Sequence, residues 1–116
     1  MILRATQSMK RGEVWWVAFE PAVGGEIRKT RPAVIVSNDS ANAHLARVVV
    51  VPLTSNTERV YPGEAVVDVA GRLSKVMSDQ IMAADKSRLQ GRVGLLTRTD
   101  MRKLESAVCV HLGLPR

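Results

Sequence analysis

Residues 13 to 20, EVWWVAFE, set Trp15, Val17 and Phe19 on one face of an extended chain and Val14, Trp16 and Ala18 on the other. Alternation with a period of two is the signature of a strand, and here neither face is polar. Such a strand must be covered on both sides or enter an interface. In a chain of 116 residues, most simply one domain, that demand falls on the remaining segments.

Those segments are mostly short and β-like. PAVIVS (32 to 37) reads as a strand, and NDSANAHLA (38 to 46) as a polar turn with one helical turn that holds His44 at the surface. RVVVVPLTSN (47 to 56) is β-branched and is expected to break at Pro52, and TERVYPGE (57 to 64) is a loop. AVVDVA (65 to 70) is a short strand, GRLSK a turn, VMSDQIMAAD (76 to 85) an extended segment around Ser-Asp-Gln, and GRVGLL (91 to 96) a last strand. Thr97 is placed to cap a helix, with Asp100 completing a capping box. Met101, Leu104, Val108 and Leu112 follow at helical spacing, and Gly113 ends the helix. Several short strands and one terminal helix predict a small α+β barrel. No glycine-rich strand-to-helix loop and no helix-turn-helix pair is present, which disfavours nucleotide hydrolases and major-groove readers.

Seventeen Lys and Arg against eleven Asp and Glu leave a net charge of +6, which suits a polyanionic partner such as nucleic acid or an acidic protein tail. Cys109 is the single cysteine, so no internal disulfide can form, and a buried thiol in a reducing, cytoplasmic setting is expected. With His44 and His111 the only histidines, no metal-ligand spacing exists. No stretch approaches the ~20 apolar residues of a membrane span. MILRATQS (1 to 8) continues no core pattern, so the domain is expected over 9 to 116 with residues 1 to 8 a dispensable, disordered extension.

The stretch RKTRPAVIVSND (28 to 39) carries the chemistry. Pro32 pins the backbone of Arg31 toward extended geometry at the mouth of a strand. If 32 to 37 and 48 to 53 pair as antiparallel neighbours, centring one run on the other sets Arg31 opposite Thr54. The ten-residue loop PAVGGEIRKT (21 to 30), mobile at its Gly-Gly pair, enters at the same edge. An arginine fork, a hydroxyl and a basic loop together make a phosphate site. Taken singly, Arg31 fits a solvated strand end and Thr54 a hydroxyl capping a turn.

KRGEVWWVAFEPAVGGE, TRPAVIVSND, VVVVPLTSN, VYPGEAVV, SDQIMAAD and GRVGLLTRTDMRKLESAVCVHLGL follow one another in the order and spacing of a known family. From about Met9 to Leu114 the chain resembles the MazF/PemK (Kid) toxins of toxin–antitoxin pairs. The resemblance implies an SH3-like β-barrel of the CcdB/PemK type with a C-terminal helix, and a homodimer. It also implies sequence-selective cleavage of single-stranded RNA without a metal or other cofactor. An acidic, MazE-like antitoxin covering the RNA groove is the implied protein partner. In MazF-type members the arginine of the RP pair and the threonine after the third strand carry catalysis; these are Arg31 and Thr54. Glu26 matches a loop acid that lines the RNA groove, and Lys29, Ser55, Asp79 and Gln80 are the further expected RNA contacts. The PemK branch instead uses the aspartate of its DQ pair and an arginine two residues before it. That position is Met77 here, which favours the Arg31 and Thr54 version.

Two other functions compete. A CcdB-like gyrase poison would work without catalysis through its C-terminal CVHLGLPR. A nucleic-acid-binding barrel would work by stacking, for which Trp15, Trp16, Phe19 and Tyr61 are thin equipment.

Overall fold

A computed structural model describes residues 8–19 and 30–115. Seven strands run as β1 (Glu13–Ala18), β2 (Thr30–Ile35), β3 (Arg47–Thr54), β4 (Glu64–Val69), β5 (Arg72–Met77), β6 (Met82–Asp85) and β7 (Leu89–Leu95). Helix α1 (Asp39–His44) links β2 to β3, and α2 (Arg98–Leu112) closes the chain. The strands form one curled antiparallel sheet in the order β4-β5-β3-β2-β1-β7, with β6 paired to β3. The fold is the expected α+β class, a barrel-like sheet with a C-terminal helix.

The double-sided character of β1 is met by two cores. Val14 packs with Val34, Val51, Leu53, Val67 and Val76 beneath Leu104 and Ala107 of α2. Trp15 and Val17 pack with Ala33, Ile35, Val48 and Val50 on the other face, where Met9 and Phe19 lie against them. β1 sits between β2 and β7, and Trp16 is its one exposed residue, at 44%.

β3 does not break at Pro52. On one side it pairs with β2; on the other it pairs with β6 through Arg47–Val50 and with β5 through Leu53 and Thr54. The Val36 amide donates to the Val49 carbonyl at 2.8 Å, so odd-numbered β3 residues turn their peptide groups toward β2. The Pro52 nitrogen therefore faces the gap where β6 gives way to β5. A missing donor costs nothing there.

Three other expectations change. The 76 to 85 segment is two strands separated by a 3₁₀ turn, Ser78–Gln80. Thr97 caps α2 by accepting from the Asp100 amide at 3.1 Å, but the Asp100 carboxylate does not complete the box. It accepts from the Asp68 amide of β4 at 2.8 Å, satisfying a donor on an edge strand. At the other end Gly113 is left-handed (φ 70°), and Leu114 N–H reaches Cys109 O at 2.9 Å in a Schellman arrangement. Leu112 is half-exposed; Ala107 takes the core position instead, and Cys109 is half-buried. No helix among the described residues is long and apolar enough to cross a membrane.

The expected GRLSK turn shrinks to Ala70-Gly71, with Val69 opposite Arg72 and β5 already under way. Both turn residues have positive φ, 51° and 87°, the type I′ requirement that glycine meets and alanine resists. Ala70→Asn is expected to raise stability by about 1 kcal/mol, a few degrees in Tm for a domain of this size. A Tm that stays level or falls in a thermal melt would contradict the strain at Ala70.

Candidate functional site

Arg31 lies in the middle of a three-strand frame. Val17 of β1 is its neighbour on one side. On the other, β2 and β3 pair as Ala33 with Pro52, Val34 with Val51 and Ile35 with Val50. Carried on to the end of both strands, that register sets Arg31 opposite Thr54, as the sequence predicts. Arg31 and Thr54 continue the non-hydrogen-bonded set to which Ala33 and Pro52 belong. Opposite Cα atoms in such pairs approach to about 4.5 Å, and their side chains leave on the same face.

Arg31 and Thr54 line one cavity of about 510 Å³. Pro32, Leu53 and Ser55 contribute from the same edge, and Arg72, Leu73 and Ser74 from β5. Trp16, Val69, Ala70 and Val93 complete the wall. Two guanidinium groups and no carboxylate line the cavity among the described residues, so its field is positive. Thr54 Oγ accepts from the Asn56 amide at 3.2 Å, the turn-capping bond of a strand-end threonine. A hydroxyl keeps its own proton when it accepts, so Thr54 can cap the turn and still donate into the cavity.

The other expected contacts divide. Ser55 joins the cavity and is exposed. Asp79 and Gln80 do not: they are exposed on the 3₁₀ turn, which packs against α2 and β3. Gln80 Nε2 donates to Met77 Sδ at 3.6 Å. Met77 is itself buried, so the position occupied by arginine in the PemK branch is part of the packing here. Glu26 and Lys29 lie outside the described residues.

Arg72 and Trp16 were not among the expected site residues. Reading GRLSK as a turn hides Arg72, because an Ala-Gly turn lacks the Asn-Gly signal that would have started the strand at residue 72. Trp16 was legible as the residue opposite Pro32, once β1 is paired with β2. A larger cavity of about 690 Å³ lies by the second core, between α1 and the segment around Met9. Two of its polar groups are already engaged: Lys86 Nζ donates to Asn42 O, and Asp39 accepts from the Arg11 amide at 2.7 Å. Among the described residues no three His, Cys, Asp or Glu side chains are grouped to hold a metal ion.

A sequence model of the PemK-like, MazF-like toxins of type II toxin–antitoxin systems matches residues 10–112. The chain is 36% identical over 115 residues to endoribonuclease MazF9 of Mycobacterium tuberculosis, covering 91% of this chain and 98% of that one. Among solved structures it is similar to an endoribonuclease from a mycobacterial species (TM-score 0.78, 30% identity, covering 94% and 95% of the two chains). It is also similar to a mycobacterial endoribonuclease in complex with its cognate antitoxin (TM-score 0.76, 31% identity, covering 92% and 97%).

The loop that leaves the cavity after Ser55 is fastened by one carboxylate. Lys75, opposite Thr54 on β5, donates to Arg59 O at 2.9 Å and pairs with Glu64 at 3.3 Å. Glu64 Oε1 accepts from the Tyr61 amide at 2.8 Å. That amide bond first, and the Lys75 ammonium second, hold the Glu64 carboxyl below its usual pKa against the opposing effect of desolvation. A lowered folded-state pKa adds stability that is complete above the ordinary value, about 4.3, and lost as pH falls through the lowered one. Glu64→Gln is therefore expected to be less stable than wild type at pH 7, with the gap closing as pH falls below the ordinary carboxyl range. A gap that stays constant in urea melts over that fall would contradict the assignment.

Proposed function

The chain belongs to the PemK-like, MazF-like toxin family, and on that premise we propose that it is a toxin endoribonuclease that cuts single-stranded RNA at selected sequences. The carrying observation is the juxtaposition of Arg31 and Thr54 in one positive cavity at the end of the β2–β3 ladder. In the proposed reaction the 2′-oxygen of the RNA attacks the adjacent phosphorus and gives up its proton. The bond from phosphorus to the 5′-oxygen breaks, and that oxygen gains a proton. The products are a 2′,3′-cyclic phosphate and a 5′-hydroxyl end. Because the nucleophile belongs to the substrate, the chain's task is to orient the phosphate and stabilise the charge that gathers on its non-bridging oxygens.

Arg31 suits that charge. Its guanidinium is always protonated and aims two donors at one phosphate. Among the described residues no hydrogen-bond or ion-pair partner engages its donors. Thr54 adds a hydroxyl donor, and Ser55, Glu26 and Lys29 are assigned to the RNA path beside them. Asp79 and Gln80, remote from the cavity lining, are assigned to reading RNA farther along its path.

The partners follow the same logic. A net charge of +6 favours an acidic antitoxin that competes with RNA for the positive face. Val110 and Leu114 near the end of α2, with Val60 and Tyr61 in the loop between β3 and β4, are exposed apolar residues suited to a homodimer or antitoxin interface. The proposed setting is the cytoplasm, where such a toxin meets mRNA.

Arg31→Ala should leave Tm nearly unchanged while slowing RNA cleavage by about two to three orders of magnitude, the usual loss of an oxyanion donor. Arg31→Lys should recover little, since a point charge cannot copy a two-pronged grip. Cleavage is expected to persist in EDTA. Wild-type rates from Arg31→Ala, followed by the appearance of 5′-hydroxyl ends in a mixed RNA pool, would remove Arg31 from the mechanism.

A further inference from the structure

We propose that Trp16 and Arg72 form a nucleotide subsite beside the cleaved phosphate, with the Trp16 indole stacking on a flanking base and Arg72 holding that nucleotide's phosphate. The inference rests on the endoribonuclease reading and deepens it by naming what selects the RNA around the cut.

Trp16 is out of place in its own strand. The other five residues of β1, Trp15 among them, are buried, yet Trp16 is 44% exposed. Its neighbours across the sheet are Pro32 on β2 and Gly91 on β7. A side chain at Gly91 would meet nothing within 4 Å, so space stands open where a cross-strand partner would otherwise cover the ring. Trp16 and Arg31 both line the 510 Å³ cavity, which lies at the end of the sheet where β1, β2 and β3 meet β5. An uncovered indole beside a phosphate-binding arginine is the arrangement that stacks bases of a single strand.

Arg72 supplies the second charge. It is exposed, it has no hydrogen-bond or ion-pair partner among the described residues, and the two-residue turn before it fixes its backbone. One cavity holding two guanidinium groups, a hydroxyl and an aromatic face offers more than one phosphate needs. It fits a nucleotide as well as the reacting group.

The test uses two RNA pools of short random sequence, one of ordinary RNA and one fully 2′-O-methylated, which lacks the attacking hydroxyl. The methylated pool should quench the tryptophan fluorescence of the wild-type chain, and Trp16→Phe should abolish the quench. Trp15 remains in that variant but is only 5% exposed in the core. On ordinary RNA, Trp16→Ala should raise KM about 10- to 100-fold with kcat changed much less, and should relax the preference at one nucleotide beside the mapped cuts. Trp16→Phe should restore most of the affinity. Arg72→Gln should flatten the salt dependence of binding by about 0.7 in the log–log slope, which Trp16→Ala leaves unchanged.

Wild-type cleavage with no quench, or an unaltered KM and cut pattern in Trp16→Ala, overturns the subsite while leaving the endoribonuclease reading intact. A quench without cleavage of ordinary RNA has the opposite meaning: the subsite stands and the activity fails. Trp16→Ala that changes the oligomeric state without RNA, in sedimentation, assigns Trp16 to an interface between copies and also overturns the proposal. An unchanged salt slope in Arg72→Gln removes Arg72 from it.

Discussion

The register of β2 against β3 governs what this chain can do. Side chains alternate along a strand, so a slip of one residue in β2 would send Ala33 and Ile35 from the second core into the first and turn Arg31 away from Thr54. Both faces of this ladder are buried, and neither tolerates the exchange. The placement of Arg31 opposite Thr54 is therefore held by apolar packing several residues away from it. Arg31 has no ion pair among the described residues, and Thr54 accepts from the Asn56 amide while keeping its proton.

A second set of polar bonds keeps that ladder from fraying at its far end. Glu13 is buried and saturated, accepting from Trp15 Nε1 at 2.9 Å and Lys10 N–H at 3.0 Å, with Arg92 at 3.3 Å. Arg11 joins three elements, its amide donating to Asp39 at the start of α1 and its guanidinium to Val36 O and Glu105 of α2. Arg11 and Arg92 at this end are thus spent on structure, whereas Arg31 and Arg72 at the cavity pair with none of the described residues. The distribution of paired and unpaired cations separates scaffold from site more sharply than the net charge does.

The frame was legible because it rests on short-range patterns. The alternation in EVWWVAFE placed Trp15 and Val17 together in one core, and centring two β-branched runs gave the observed pairing of Ile35 with Val50. Thr97 and Gly113 marked the ends of α2 by cap chemistry alone. What was misread depended on partners distant in sequence. Pro52 stands harmlessly inside β3 because two different strands meet across from it, which no local rule reveals. Asp100 abandons its own helix cap for the Asp68 amide because β4 is an edge. Arg72 was hidden by a turn whose first residue, Ala70, opposes its own conformation. Asp79 and Gln80 rest on the family resemblance, and what the structure adds is their place on a 3₁₀ turn packed against α2 and β3.

The central claim is that Arg31 and Thr54 act on one phosphate, and a double-mutant cycle tests it most directly. Rates of RNA cleavage by Arg31→Ala, Thr54→Ala and the double variant, each compared with wild type, give the coupling in transition-state free energy. Groups sharing one phosphate should be non-additive by about 0.5–3 kcal/mol, with the double variant losing less than the two single losses together. Losses that add to within a few tenths of a kcal/mol would show that the two residues work independently, and the shared site would be wrong.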